Sequence, residues 1–232
     1  MNKNLSLNIC KPVILAALLL TACSLWAGDT AVFVDLGFSS DGRTYMFGQY
    51  GVQSGTLRPW AELFVVDVAS NSYVPGGKIT YTHDSSVTAG HDGSGALFRV
   101  IARNTALADR YNIGFLFQGQ PLYINMENGV STGFETVEFR DFEKAASFRA
   151  SLRTDYSSAA GSSFTIALER RNSDGSSRTY TVGNGAIKRP GIVSYRIRRV
   201  LAAPRNGALI FVIEMKKQDS NDIRYMVETL KL

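Results

Sequence analysis

Apolar and polar positions alternate along most of this chain, in short stretches. Breaks rich in Gly, Ser, Asn and Asp separate the stretches, a pattern that predicts antiparallel strands joined by tight turns. Val32–Phe38, Thr44–Tyr50 and Glu62–Val68 are dense in β-branched and aromatic residues, which suit a pleated, half-buried surface. Ser39-Ser40-Asp41-Gly42 supplies the first turn, because an Asp side chain can bond its own backbone and Gly accepts positive φ. Tyr73–Gly77 is expected to close this unit, with Lys78–Thr82 opening another strand. Farther on, Phe148, Ala150 and Leu152 alternate with Arg149, Ser151 and Arg153, and Phe164–Arg170 follows. Asn172-Ser173-Asp174-Gly175 then turns into Arg178–Val182 as a hairpin. Asp155–Ser163, made largely of Ser, Ala and Gly, reads as a mobile surface loop. Val193–Leu201, Ala208–Met215 and Ile223–Leu230 complete the strand set.

One stretch keeps a helical period. Leu97, Val100, Ile101, Leu107, Ala108 and Tyr111 share a face that Arg99, Arg103 and Arg110 avoid, which predicts an amphipathic helix over 95–111. Asp92 and Ser94 offer capping oxygens at its start. The expected fold is therefore mainly β, with antiparallel sheets arranged as a β-sandwich or a small propeller-like body and one helix. No linker rich in Pro or charge divides residues 28–232, so they read as a single domain.

Residues 1–27 differ in kind. Lys3 and Lys11 flank a polar start, Val13–Leu20 is unbroken apolar sequence, and small residues follow, as in a secretory signal. The run is far shorter than the ~20 residues a spanning helix needs. Two cuts fit. Leu20-Thr21-Ala22-Cys23 looks like a lipobox, which makes 1–22 the signal and Cys23 a lipidated, membrane-anchoring residue. Cleavage after Ala27 gives a signal of 1–27 and a secreted or periplasmic product. Either cut removes Cys10 and leaves no pair of cysteines to form a disulfide. Lys3 and Lys11 are the only charged side chains in 1–27, so their loss lowers the formal net charge from +5 to +3. That balance does not point to nucleic acid as a partner.

The two ends of the remaining chain echo each other. Phe38–Gly42, Tyr45-Met46-Phe47 and Glu62–Asp67 parallel Ala203–Gly207, Leu209–Val212 and Ile223–Val227 in the order strand, Gly turn, strand, loop, strand. The first copy resembles the Ser-Pro-Asp-Gly blade of TolB-type and WD40-like propellers, with Ser40 in the proline position; this is a likeness of fold alone. A wider resemblance rests on Ala31–Gly51, Trp60–Asp67 and Ile223–Thr229. These strings resemble a bacterial family of predicted secreted proteins of unknown function. The resemblance implies export, carries no catalytic residue, substrate or cofactor, and begins near Gly28-Asp29, which favours the second cut.

Candidate chemistry is sparse. His83-Asp84 and His91-Asp92, in one polar loop, are the residues whose types could chelate a divalent ion, although a loop orders such ligands poorly and Asp92 also serves as a cap. Gly90, Gly93 and Gly95 precede the helix without the Lys-Ser/Thr of a phosphate loop. No nucleophile elbow or Ser-x-x-Lys stands out. Asp35, Asp41, Glu62 and Asp67 are acids that could do acid–base work if they converged. Lys188, Arg189, Arg196, Arg198 and Arg199 form a basic stripe, with Arg196 and Arg198 on one strand face, suited to a phospholipid headgroup or an anionic envelope polymer. The expectation is a non-enzymatic exported envelope protein that needs no cofactor and binds an envelope protein or an anionic polymer. It meets the membrane only through a lipidated Cys23. The alternative is an exported hydrolase whose carboxylates meet only in three dimensions.

Overall fold

The computed structural model describes residues 29–127, 133–205, 207–218 and 222–232. The leader and both cysteines lie outside them. Strands β1 (Val32–Ser39), β2 (Thr44–Val52), β3 (Pro59–Asp67) and β4 (Ser72–Thr82) lead into helices α1 (Ser94–Arg103) and α2 (Thr105–Arg110). Two short strands follow, β5 (Ile113–Gly114) and β6 (Gln120–Ile124). Next come β7 (Phe134–Asp141), β8 (Ala146–Ser157), β9 (Gly161–Arg171) and β10 (Ser177–Val182), then β11 (Ile192–Ala202), β12 (Leu209–Lys217) and β13 (Ile223–Leu230). They form three antiparallel sheets, ordered β4-β3-β2-β1-β5, β10-β9-β8-β7 and β13-β12-β11-β6.

The β11–β13 sheet lies in the middle of the stack. Leu209, Phe211 and Ile213 of β12 join a core with Phe148, Leu152 and Ile166 of the second sheet. Ile210 and Val212, pointing the other way, join Phe38, Phe47 and Phe64 of the first. All five β12 residues are fully buried, so this strand reads as a continuous apolar run without alternation. The first sheet is also covered on both faces, because Met46, Leu63 and Val65 pack under Leu97 and Val100 of α1. The second sheet keeps one wet face, where Arg149 pairs with Glu138 at 2.7 Å. The layers therefore run helix, sheet, sheet, sheet. The echoing ends of the sequence are the two facing sheets of one core, stacked face to face rather than closed into a ring.

Three local expectations are corrected. The single helix over 95–111 is two, because Asn104 leaves helical geometry at φ −127° and spends its side-chain amide on the Val100 carbonyl at 2.7 Å. The N-cap is Gly93; Asp92 sits one residue earlier, where its carboxylate accepts the Ser94 N–H at 3.2 Å. Tyr73–Gly77 does not close a unit but lies inside β4: Val66 pairs with Tyr73 and Phe64 with Lys78, so the intervening residues bulge out of the ladder. The turn falls earlier, where the Asp67 carboxylate accepts the Ser70 N–H at 2.8 Å and Asn71 takes φ 51°.

Asp155–Ser163 is a hairpin rather than a mobile loop. Ser162 and Ser163 are fully buried, their hydroxyls donating to the carbonyls of Ile192 (2.6 Å) and Gly185 (2.7 Å). Small polar residues were needed there to satisfy a neighbouring segment, a role that composition alone does not distinguish from a flexible loop.

A candidate binding groove at the turn end of the stack

The antiparallel registers place the β1–β2, β3–β4, β7–β8 and β11–β12 turns at one end of the stack. Asp29 and the β2–β3 loop lie at the other. At the turn end, three segments distant in sequence enclose a groove of about 460 Å³. Its walls are Gln118 and Gln120 before and in β6, Asp141, Glu143 and Lys144 at the end of β7, and Ala202, Ala203, Pro204, Arg205 and Gly207 at the end of β11. Each wall has a local cause. Asp141, 2% exposed, accepts the backbone N–H groups of Glu143 and Lys144 at 3.0 Å each, and so folds its own turn. Lys144 Nζ lies 3.8 Å from the same carboxylate. Arg205, exposed at the groove wall beside Pro204, takes φ 74°, a conformation L residues seldom adopt. Gly119 permits the close approach of the third wall, since a Cβ there would sit 2.9 Å from that of Leu201.

A second recess, about 330 Å³, lies between the β1–β2 turn and the end of α2 and is lined by Asp41, Arg43, Asp67 and Arg110. Its two acids are held below the usual carboxylate range, Asp41 chiefly by the Ser39 hydroxyl and Asp67 by the Ser70 N–H and hydroxyl. Between the walls of the two recesses, the chain makes a tight apolar projection at Phe115-Leu116-Phe117. The Phe117 N–H donates to the Gly114 carbonyl at 2.8 Å, and the Phe38 N–H donates to the Phe117 carbonyl at 2.8 Å. Leu116, at the tip, is 96% exposed.

The sequence-derived residues fall elsewhere. His83 Nδ1 accepts the Ser85 N–H at 3.1 Å, and Asp84 lies 3.7 Å from Arg58. His91 is exposed, and Asp92 is engaged by Ser94 and faces the Tyr50 phenol, whose pKa it helps to raise after burial. Among the described residues no three His, Cys, Asp or Glu side chains gather as a metal site. Gly90 and Gly95 stand in open space, whereas Gly93 is fixed by packing: a Cβ there would lie 2.6 Å from the Gly51 carbonyl.

The basic stripe is largely turned inward. Lys188 pairs with Asp155, and Arg189 lies 3.6 Å from Glu228 and over the rings of Phe164 and Tyr195. Arg196 and Arg198 share a face as expected, both donating to the Glu127 carbonyl at 3.2 and 2.9 Å. Arg198 also lies 3.7 Å from Glu214, and Arg199 covers the Phe33 ring. Cys23 is outside the described residues.

Of the four acids, Asp41 and Asp67 come together in the second recess, while Asp35 and Glu62 lie apart from them. Glu62 accepts from the Gln49 amide at 2.7 Å, while Asp35 accepts the N–H groups of Gly37 at 3.0 Å and Gly119 at 3.3 Å. Burial raises the Asp35 pKa against the pull of those donors, the Tyr45 phenol and Arg199. Tyr45, fully buried beside it, is driven well above the ordinary phenol range, first by burial and then by the Asp35 charge. Across the same interface the Tyr225 pKa rises to about 12 through burial and the nearby Glu214. These polar groups are seam contacts between the first and central sheets.

Sequence reasoning missed the groove. Its turns are legible one at a time in Asp141-Phe142-Glu143-Lys144 and Ala203-Pro204-Arg205, but only the stacking of three sheets brings them together.

The arrangement defines a class: a layered antiparallel β protein with a mixed-charge surface groove and its apolar residues divided among stacked cores. No helix among the described residues is long and apolar enough to cross a membrane. More particularly, the chain belongs to the DUF2259 family of predicted secreted proteins, whose sequence pattern matches residues 46–231 and so includes every wall of the groove. No curated protein matches it.

Proposed function

We propose that this protein is an exported, non-enzymatic binding module of the bacterial cell envelope that captures its partner at the turn end of the stack. The observation that carries this reading is the groove itself. It presents Lys144 and Arg205 beside the amides of Gln118 and Gln120, while its most buried acid, Asp141, is spent on its own turn. Arg205 and the two amides facing the recess, with Asp141 bonded to its own turn and to Lys144 and with Glu143 the remaining acid of the lining, suit the capture of an anionic group. The hydrolase reading needs an acid kept protonated beside an ionised one. In the neighbouring recess Asp41 and Asp67 are both pushed toward the ionised form, which suits binding better than proton transfer.

Export follows from the leader, with cleavage after Ala27 the reading that places the first mature residue next to Asp29. To test the binding reading, the mature protein is immobilised and exposed to solubilised envelope, in parallel with a Lys144→Glu/Arg205→Glu variant. Recovery of a partner by the parent and its loss in the variant is the expected result. Equal recovery by both, or none by either, overturns it.

A further inference from the structure

The partner's chemistry can be taken further, on the reading that the turn end is the binding face. We infer that this end docks on a phospholipid bilayer, with Leu116 and Phe142 entering the interface and the flanking cations meeting phosphodiester headgroups.

The apolar part is convex and rigid. Phe115 and Phe117 are 45% and 44% exposed on either side of Leu116 at 96%. The Phe117 ring lies so close over Gly114 that a Cβ there would be 2.3 Å from it, and Gly37 admits the Gly114 carbonyl in the same way. A protruding tip already fixed in shape loses little freedom on insertion, and a convex projection suits a deformable lipid surface. Phe142 is a second projection, 79% exposed, with the Arg140 guanidinium 5.3 Å from its ring centre. An aromatic ring with a cation over it fits the headgroup level of a membrane.

The cations sit where headgroups would be. Arg110 lines the recess just before the projection, and Lys144 and Arg205 line the groove just after it. The four acids of these walls, Asp41, Asp67, Asp141 and Glu143, equal their four cations in number, with Asp141 buried and paired to Lys144, and Arg140 beside Phe142 adds a fifth cation. Arg205 and Arg110 are exposed. This end therefore carries five cations against four acids, so its apolar tips must supply most of the binding, and attraction to an anionic leaflet amounts to roughly five-fold in affinity per cation near it.

The experiment uses the mature protein and two sets of vesicles, phosphatidylcholine alone and phosphatidylcholine with an equal amount of phosphatidylglycerol, read by flotation. A Leu116→Trp variant reports insertion through a blue shift of its emission. Expected are flotation with the anionic vesicles, loss in Leu116→Ser/Phe142→Ser, and about five-fold weakening in Arg205→Gln. Thermal unfolding should be unchanged in these variants because the substituted side chains are exposed. No flotation with either vesicle, binding that Leu116→Ser/Phe142→Ser leaves intact, or a Leu116-dependent dimer without vesicle binding overturns the bilayer proposal. If the envelope capture described above still depends on Lys144 and Arg205, the binding-module reading survives its failure.

Discussion

Replacing Arg224 with Met should cost the fold more than the ion pair itself contributes. Asp29 accepts from Arg224 at 2.7 Å and from the Trp60 indole at 2.8 Å, its side chain is 7% exposed, and the guanidinium covers the Trp60 ring. Removing the cation strands that carboxylate, for a loss of about 3–5 kcal/mol in urea unfolding, and Asp29→Asn in the same chain should recover part of it. Asp35 and Asp67 form a paired test of opposite sign. Burial raises the Asp35 pKa in the folded state, so the folded chain binds its proton more tightly and Asp35 contributes most at low pH. That contribution is lost as pH rises through the raised value. The stability of Asp35→Asn relative to the parent should therefore climb from acid toward neutral pH. The Asp67 pKa is lowered by its Ser70 bonds, so its contribution is present above the ordinary carboxylate range and disappears as pH falls. Asp67→Asn relative to the parent should thus drop over the same interval. Melting temperatures across that pH range check both slopes, and slopes of equal sign would contradict the assignments.

Helix α1 lies on the first sheet at a distance set by Gly48, where an added Cβ would come within 2.7 Å of a Leu97 methyl. Leu97 is 2% exposed and has little room to yield, so Gly48→Ala should cost roughly 1–3 kcal/mol by overpacking. Gly37→Ala should cost more. It meets a backbone carbonyl at 2.4 Å and must hold φ at 109°, and neither can relax by a rotamer change. Denaturant midpoints of the two variants give the comparison. These contrasts also explain what the sequence could reveal. The helix face was readable because its period is local, and the alternation of Phe148, Ala150 and Leu152 was readable because the second sheet keeps one wet face. The Tyr73–Gly77 bulge and the Asp155–Ser163 hairpin were not, since both depend on which strand lies opposite. Strands β6 and β7 carry no strong apolar run; β6 is an edge fixed by pairing with β11. The candidate site was less legible still, because the stripe at 188–199 looks exposed in one dimension and is largely paired in three.

The central sheet ties the fates of the outer layers together. Phe211 faces the second sheet and Val212 the first, so Phe211→Ala should lower stability by about 3–5 kcal/mol and should lower amide protection in β8 and β3 together. Loss confined to β8 would mean that the layers unfold separately. The same stacking orients the molecule. Asp29 is pinned beside Ile223, at the opposite end of β1 from the β1–β2 turn of the second recess, and eight strand residues separate the ends by roughly 25 Å. A lipid on Cys23 would have only Ser24–Gly28 between it and Asp29, a reach of at most ~22 Å. It would hold the Asp29 end at the membrane and turn the Leu116 end away. Docking by the turn end therefore goes with cleavage after Ala27, and the exported protein should carry Gly28 as its first residue without acyl mass. Intact-mass measurement of protein recovered from the envelope decides this, and a diacylated Cys23 terminus would exclude turn-end docking on the anchoring membrane.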